Sequence, residues 1–217
     1  MSYRMQERNG RRRKVKVILL GEPGVGKTSI FRRLNSDDFV NRPSLTGIMD
    51  CLDWDFRDGE KGITLLVTDT GGSDKKCSIT PAYYRHARAV ILVYAVDREE
   101  TFHRLQTEWL PYVRYRFDEN EFPMLFLVGN KTDLRNNVRV EADDVTRFCS
   151  NVRIPADFQF LMSCKTGKGI QEAFRSIATT LLEAQLSTKD TTDSEAQHVD
   201  LADFDHEEPS TSPCSDC

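Results

Sequence analysis

The sequence predicts an α/β fold, a three-layer sandwich in which helices cover a mostly parallel six-stranded sheet with one antiparallel edge strand. Short apolar segments alternate with segments whose apolar residues recur at helical spacing, which is typical of this class. Two short segments, 89–96 and 124–129, are almost wholly apolar, as central strands of a covered parallel sheet are. The segments 48–56 and 62–69 are joined by a short turn, which predicts a hairpin and hence the antiparallel edge.

The other elements follow in chain order. Residues 14–20 form the first predicted strand because this segment is β-branched and apolar and turn residues follow it. A helix is predicted over about 27–35. The strand 158–162 completes the sheet. Apolar stripes on two later helices consist of Phe102, Leu105, Trp109 and Val113, and of Ile170, Phe174, Ile177 and Leu181.

Charge divides the 217-residue chain into three parts, although its net charge is only −4. Residues 1–14 carry six basic residues and one acid, whereas residues 187–217 carry nine acids and one lysine. The tail has too few large apolar residues to bury the surface that folding requires. We therefore expect a disordered basic arm over 1–13, a folded domain over 14–186 and a disordered acidic tail over 187–217. The body is nearly neutral, which argues against a nucleic-acid-binding face.

Cysteine spacing and apolar segment length indicate the compartment. Six scattered cysteines show no metal-ligand spacing in the body, and the N-terminal segment lacks the apolar stretch of a secretory signal. The longest apolar run, 89–96, is far shorter than the roughly 20 residues that span a bilayer. We expect a cytoplasmic protein with free thiols.

A phosphate-binding loop is predicted over residues 21–28, GEPGVGKT, which fit G-x-x-x-x-G-K-[ST] between a strand and a helix. Backbone N–H groups of such a loop, together with the helix N-terminus, surround nucleotide phosphates. Lys27 is expected to bridge the β- and γ-phosphates, and the Thr28 hydroxyl to bind Mg²⁺. The predicted nucleotide-contacting residues here are Glu22, Pro23, Gly24, Val25, Gly26, Lys27, Thr28 and Ser29.

The segment 130–133, NKTD, predicts which base is bound, because it directly follows the strand 124–129. The Asp133 carboxylate can accept hydrogen bonds from the ring N–H and the exocyclic amine of guanine together. Adenine offers no such pair of donors. The Asp133 carboxylate would then be left unpaired, at a cost of about 1–3 kcal/mol. GTP is therefore favoured over ATP, and an ATPase or kinase is disfavoured.

These motifs resemble those of the Ras superfamily of small GTPases over residues 14–184, and the segment 77–97 resembles the Rab branch of vesicle-trafficking GTPases. The resemblance implies that Asp69 and Gly72 form a D-x-x-G motif, with Asp69 holding Mg²⁺ through water and Gly72 contacting the γ-phosphate. It also implies that Thr28 and Thr46 ligate Mg²⁺. The residues that it places around the base are Phe39, Asn130, Lys131, Asp133, Ser163, Cys164 and Lys165.

The resemblance further implies catalysis by Lys27, Gly72 and the residue after Gly72, where the family has a glutamine that orients the attacking water. Ser73 occupies this position and lacks the amide, so we expect GTP hydrolysis to be about 10–100-fold slower than with glutamine. Pro23 could obstruct an arginine finger from a partner. These features keep two hypotheses open: a Rab-like switch that hydrolyses GTP, and a binding module that holds GTP and recruits partners without timed hydrolysis.

Partners are also implied by the resemblance: an exchange factor and effectors that bind near 40–52 and 69–88. A Rab effector surface typically presents three aromatic residues. By spacing, the corresponding positions here are Cys51, Thr68 and Tyr83, so two of the three aromatic residues are missing. Cys214 and Cys217 are candidate prenylation sites with an unusual spacing. The alternative interpretation is that both are free thiols. We accordingly expect a monomer that binds peripherally to the cytosolic face of intracellular membranes.

Overall fold

The computed structural model describes residues 13–36, 39, 50–70 and 83–187, without the side chains of Arg135 and Ser187. Its sheet has six strands in the order β2-β3-β1-β4-β5-β6. The strands are β1 (Arg13–Leu20), β2 (Asp50–Asp58), β3 (Lys61–Asp69), β4 (Ala87–Ala95), β5 (Met124–Asn130) and β6 (Gln159–Leu161). Only β2 pairs antiparallel, with β3 at the edge of the sheet. The predicted fold class is confirmed.

Helices pack on both faces of this sheet. They are α1 (Lys27–Ser36), α2 (Glu99–Arg104), α3 (Leu110–Arg116), α4 (Ala142–Val152) and α5 (Ile170–Ser187), with the π-helical turn Leu105–Trp109 joining α2 to α3. Successive side chains of β1 point to opposite faces, so Val17 and Leu19 contribute to one core while Ile18 and Leu20 contribute to the other. The helices α1 and α5 cover the first core, and α2, α3 and α4 cover the second.

The structure extends the sequence prediction in two places. The helix α4 has no predicted counterpart, although Val145, Phe148, Cys149 and Val152 recur at helical spacing and pack in the second core. The helix predicted through Phe102 and Val113 is interrupted by the π-helical turn. At the domain borders, β1 begins at Arg13 and α5 ends at Ser187, one residue beyond each predicted border.

Strand register brings the predicted motifs to one edge of the sheet. Leu19 of β1 pairs with Asp69 of β3, and Ala95 of β4 pairs with Asn130 of β5. Since these strands are parallel, their carboxyl ends lie side by side, which is where open α/β sheets bind ligands.

Candidate functional site

The phosphate-binding loop leaves the end of β1 and enters α1, as predicted. Gly21 (φ 146°) and Gly26 (φ 106°) adopt backbone conformations that other residues rarely reach. A Cβ atom on Gly21 would overlap the carbonyl oxygen of Val93, so the loop lies directly against β4. Lys27 is buried, and its Nζ donates to the carbonyl oxygens of Gly21 at 2.7 Å and Glu22 at 3.1 Å. The positively charged Lys27 side chain is thereby held across the phosphate-binding loop.

Two oxygen-bearing residues near this loop are candidate ligands for a divalent cation. Asp69 is the last residue of β3 and is fully buried, while Thr28 follows Lys27 in the first turn of α1. The Thr70 hydroxyl donates to the Leu19 carbonyl at 3.0 Å and fixes the chain after β3 against β1. A carboxylate and a hydroxyl are the hard donors that Mg²⁺ prefers, so the residues present fit this ion.

Asn130 joins three loops at the predicted base site. Its Nδ2 donates to the Val25 carbonyl of the phosphate-binding loop at 2.8 Å, and its Oδ1 accepts from the Cys164 N–H at 3.1 Å. The side chain is buried at the end of β5. One amide therefore links the phosphate-binding loop to the loop after β6.

The Asp133 carboxylate is oriented by neighbours on the loop after β6. Ser163 Oγ donates to Asp133 Oδ1 at 2.6 Å, and Lys165 Nζ lies 3.9 Å from Oδ2. Ser163 Oγ in turn accepts from the Thr166 N–H at 3.2 Å. The structure thus brings together the predicted base-site residues Asn130, Asp133, Ser163, Cys164 and Lys165.

Two further predicted residues flank this group. Lys131 has a left-handed backbone (φ 71°), and its Nζ lies 3.5 Å from Asp97 Oδ1. Phe39 is half-buried, with the Arg33 guanidinium 5.8 Å from its ring centroid. Burial raises the pKa of the Cys164 thiol to about 12, so this side chain is a neutral packing group and only its backbone is polar.

Arg33 was missed by the sequence analysis. Its Nε donates to the Cys164 carbonyl at 2.7 Å and its Nη2 to the Lys165 carbonyl at 2.8 Å, tying α1 to the loop after β6. The only available signal was a basic residue in the last turn of α1, which usually indicates a favourable interaction with the helix dipole.

The outer side of the phosphate-binding loop has a second set of missed contacts. Glu22 Oε1 accepts from Trp109 Nε1–H at 2.8 Å, and Glu22 Oε2 lies 3.5 Å from Arg104 Nη1. Arg98 Nη2 donates to the Pro23 carbonyl at 3.0 Å. These contacts fix the loop to α2 and the π-helical turn, where the sequence analysis had assigned Trp109 to apolar packing alone.

The candidate effector face is described only in part. Cys51 is exposed on β2 and lies opposite Thr68 of β3, with Cys51 Sγ 3.6 Å from Thr68 Oγ1. Tyr83 is half-buried. Predicted residues that lie outside the described ranges are Thr46, Gly72, Ser73, Cys214 and Cys217, together with most of the two partner-binding segments.

A phosphate-binding loop and an Asn-Lys-x-Asp segment at the same edge of a mostly parallel sheet define a guanine-nucleotide-binding protein of the phosphate-loop class. The family model described as Ras family matches residues 16–183. The chain is 31% identical over 171 residues to Ras-related protein Rab-21 of Geodia cydonium, covering 79% of this chain and 72% of the relative.

Two further relatives agree. The chain is 32% identical over 164 residues to Ras-related protein RABA1c of Arabidopsis thaliana, covering 76% of this chain and 73% of the relative. It is 33% identical over 199 residues to GTP-binding protein YPT53 of Saccharomyces cerevisiae, covering 86% and 87%. The chain belongs to the Ras superfamily of GTPases and is close to the Rab family. Among the described helices, none is long and apolar enough to cross a bilayer.

Proposed function

We propose that this protein is a Rab-like molecular switch that binds GTP with Mg²⁺, hydrolyses it slowly and regulates vesicle or membrane trafficking. The observation that carries the proposal is the joining of the phosphate-binding loop to the base-recognition segments by Asn130, whose amide contacts Val25 and Cys164. This arrangement supports binding of a ligand with a base at one end and phosphates at the other.

The binding roles follow from position. Asp133 recognises guanine with a carboxylate that Ser163 and Lys165 hold in place. Phe39, in contact with Arg33, lies where an aromatic ring can stack on the base. Backbone N–H groups from Glu22 to Ser29, with the Lys27 ammonium group, bind the phosphates.

The residues proposed to hold Mg²⁺ are Thr28, Asp69 and Thr46. Bound Mg²⁺ neutralises charge that develops on the transferring phosphoryl group. Lys27 stabilises the same charge, and the Gly72 N–H contacts the γ-phosphate. Ser73 follows Gly72 and offers only a short hydroxyl for orienting water, so hydrolysis is slow.

Single-turnover hydrolysis of Mg²⁺·GTP tests this proposal, with wild type beside Ser73→Gln. We expect the variant to hydrolyse GTP about 10–100-fold faster, a change of about 1.4–2.8 kcal/mol in the barrier. Ser150→Gln on the exposed surface of α4 is the matched control and should leave the rate unchanged. If wild type is already as fast as Ser73→Gln, the assigned role of Ser73 is wrong.

A second candidate, a module that holds GTP without timed hydrolysis, is favoured by Pro23. Its carbonyl is already bound by Arg98, on the loop surface that an arginine finger from a partner would approach. Under this alternative, protein isolated from cells carries mainly GTP, and neither Ser73→Gln nor a saturating cell extract releases phosphate at a measurable rate. The switch hypothesis instead requires mainly GDP after incubation with such an extract.

Partner binding and membrane attachment complete the proposal. Exchange factors and effectors bind the segments near 40–52 and 69–88, where Cys51 and Thr68 replace aromatic residues and give an unusual effector preference. A monomer reaches the cytosolic face of intracellular membranes through prenylated Cys214 or Cys217. Mass spectrometry of the protein from cells tests the lipid: an unmodified tail removes this part of the proposal.

A further inference from the structure

A basic cavity lies at the amino ends of the parallel strands, opposite the nucleotide site. Its volume is about 670 Å³, and it opens between the start of β1, the turn before β4 and the end of α3. The cationic side chains that line it are Arg13, Lys14, Lys16, Arg85, Arg88 and Arg116. Among the described residues, the lining contains two carboxylates, those of Asp118 and Glu121, so this part of the wall is positively charged.

Three of these cations are not neutralised within the described part of the chain. Arg13, Arg85 and Arg88 are exposed, and their side chains form no ion pair or hydrogen bond with any residue that the structure describes. Lys14, by contrast, is paired with Asp53 at 2.7 Å, and Arg116 Nη2 donates to the Tyr112 hydroxyl at 2.8 Å. Three adjacent arginines on a concave wall predict an anionic ligand.

An apolar cavity of about 310 Å³ adjoins the basic one, and Arg13, Arg88 and Gln185 line both. Its other walls are mainly the apolar side chains of Val15, Phe122, Met124 and Leu181. Phe122 is 38% exposed, an unusual state for a large aromatic side chain. The two cavities together, which we term the docking groove, therefore fit a ligand with both carboxylates and apolar side chains.

A segment of the same chain has this composition. Residues 199–208, VDLADFDHEE, place Val199, Leu201 and Phe204 among five acidic residues. The whole segment 187–217 carries nine acids against one lysine. Apolar and acidic residues thus occur within one short stretch, matching the two halves of the docking groove.

The last turn of α5 lies at the groove. Gln185, in the last turn of α5, lines both cavities, so the chain leaves the domain at the groove itself. A linker of 188–198 spans about 18 Å as a relaxed coil, and fully extended it reaches roughly 36 Å. Tethering also makes binding intramolecular, which raises the effective concentration of the ligand to about millimolar.

We propose that residues 199–208 dock in the docking groove, with their carboxylates on Arg13, Arg85 and Arg88 and with Leu201 and Phe204 in the apolar cavity. The segment does not fold alone, since it lacks enough apolar surface, and it becomes ordered on a preformed surface. Docking depends on charge pairs at an exposed face and is therefore weakened by salt.

Nuclear magnetic resonance relaxation of the isotopically labelled full chain tests the proposal. In wild type at low ionic strength, we expect backbone order parameters of residues 199–208 above about 0.6, the upper bound of flexible segments. In Arg13→Glu/Arg88→Glu they should fall below about 0.6. Asp203→Lys/Asp205→Lys should have the same effect, and combining both pairs should restore order because the charges are exchanged.

The matched control is Arg114→Glu/Arg175→Glu, which makes the same charge change on exposed arginines that do not line the groove. This variant should keep the tail ordered. The proposal is overturned if the order parameters of residues 199–208 are equally low in wild type and in the groove variant. It is also overturned if the tail stays mobile while vesicles containing phosphatidylserine bind wild type but not the Arg13→Glu/Arg88→Glu variant. The groove would then bind lipid.

Discussion

The carboxylate of Asp133, which we propose recognises the base, is held in position by its neighbours. Ser163 Oγ, 2.6 Å from Asp133 Oδ1, fixes the carboxylate against the loop after β6. A prepositioned acceptor binds more strongly and discriminates better, since a ligand without matching donors leaves it unpaired. In the proposed site, Asp133 is therefore the residue that selects the nucleotide, and Asn130 positions it relative to the phosphate-binding loop.

Asp133→Asn should change the preferred base from guanine to xanthine. The variant's amide both donates and accepts, so it fits the N–H and carbonyl of xanthine rather than the two donors of guanine. We expect GTP affinity to fall at least about 100-fold and xanthosine triphosphate to bind more tightly than GTP. Competition against a fluorescent nucleotide measures both, with exposed Asp157→Asn as the control. Unchanged GTP affinity would contradict the assignment of Asp133.

The described cysteines should differ strongly in reactivity at pH 8. Burial raises the pKa of Cys164 to about 12 and that of Cys149 to about 11, whereas Cys51 is exposed on β2. Only the thiolate reacts, and at pH 8 its fraction at both buried sites is lower than at an ordinary thiol by about 100-fold or more. Time-resolved alkylation with mass spectrometry should modify Cys51 first; equal rates at Cys51 and Cys164 would contradict the burial described.

Among the elements, the π-helical turn Leu105–Trp109 has a defined consequence for the site. Its last residue, Trp109, is largely buried and donates its indole N–H to Glu22 of the phosphate-binding loop at 2.8 Å. π-Helical turns often occur at functional sites, where they redirect a side chain. Here the turn connects the second core with the nucleotide site.

Trp109→Phe should speed nucleotide release. The ring is kept for packing, but Glu22 loses the N–H donor, a loss of about 0.6–1.4 kcal/mol that corresponds to GDP dissociation about 3–10-fold faster. Release of a fluorescent GDP analogue measures the rate. Trp54→Phe is the control, because Trp54 packs on Phe56 and Phe174 away from the loop. Equal acceleration in both variants would mean that general loosening, not Glu22, is responsible.

How much the sequence predicted depends on the range of the interactions. The strands and α1 followed from local patterns, because an apolar strand or a glycine-rich loop carries its own signal. The helix α4 was missed although Val145, Phe148, Cys149 and Val152 recur at helical spacing, whereas the π-helical turn has no local pattern that separates it from an α-helix. At the site, motif residues were predictable, whereas Arg33 and Trp109 act through neighbours 131 and 87 positions away in sequence.

At the scale of the whole molecule, ligand binding couples to stability. In the proposed site, the nucleotide contacts three separate loops that only the folded state brings together, so it should bind the native state and not the unfolded chain. Mg²⁺ contributes through Thr28 and Asp69 in the proposed site.

Removing Mg²⁺ with EDTA should therefore lower the melting temperature. Ligand at 100 times its Kd stabilises the native state by about 2.7 kcal/mol, or about 5–10 °C for a domain of this size. Scanning calorimetry of the GDP-bound protein with and without EDTA measures the shift, and Asp69→Asn should reduce it. EDTA that leaves both the melting temperature and the GDP release rate unchanged would contradict the metal assignment.

The strand β1 runs from the docking groove to the phosphate-binding loop, Arg13 at one end and Gly21 just beyond the other. Eight residues at about 3.3 Å each separate these ends by about 26 Å. The strand is paired with β3 on one side and with β4 on the other, so backbone hydrogen bonds hold it along its length. The proposed tail-docking groove and the nucleotide site therefore lie at opposite ends of one strand, too far apart for one ligand to contact the other.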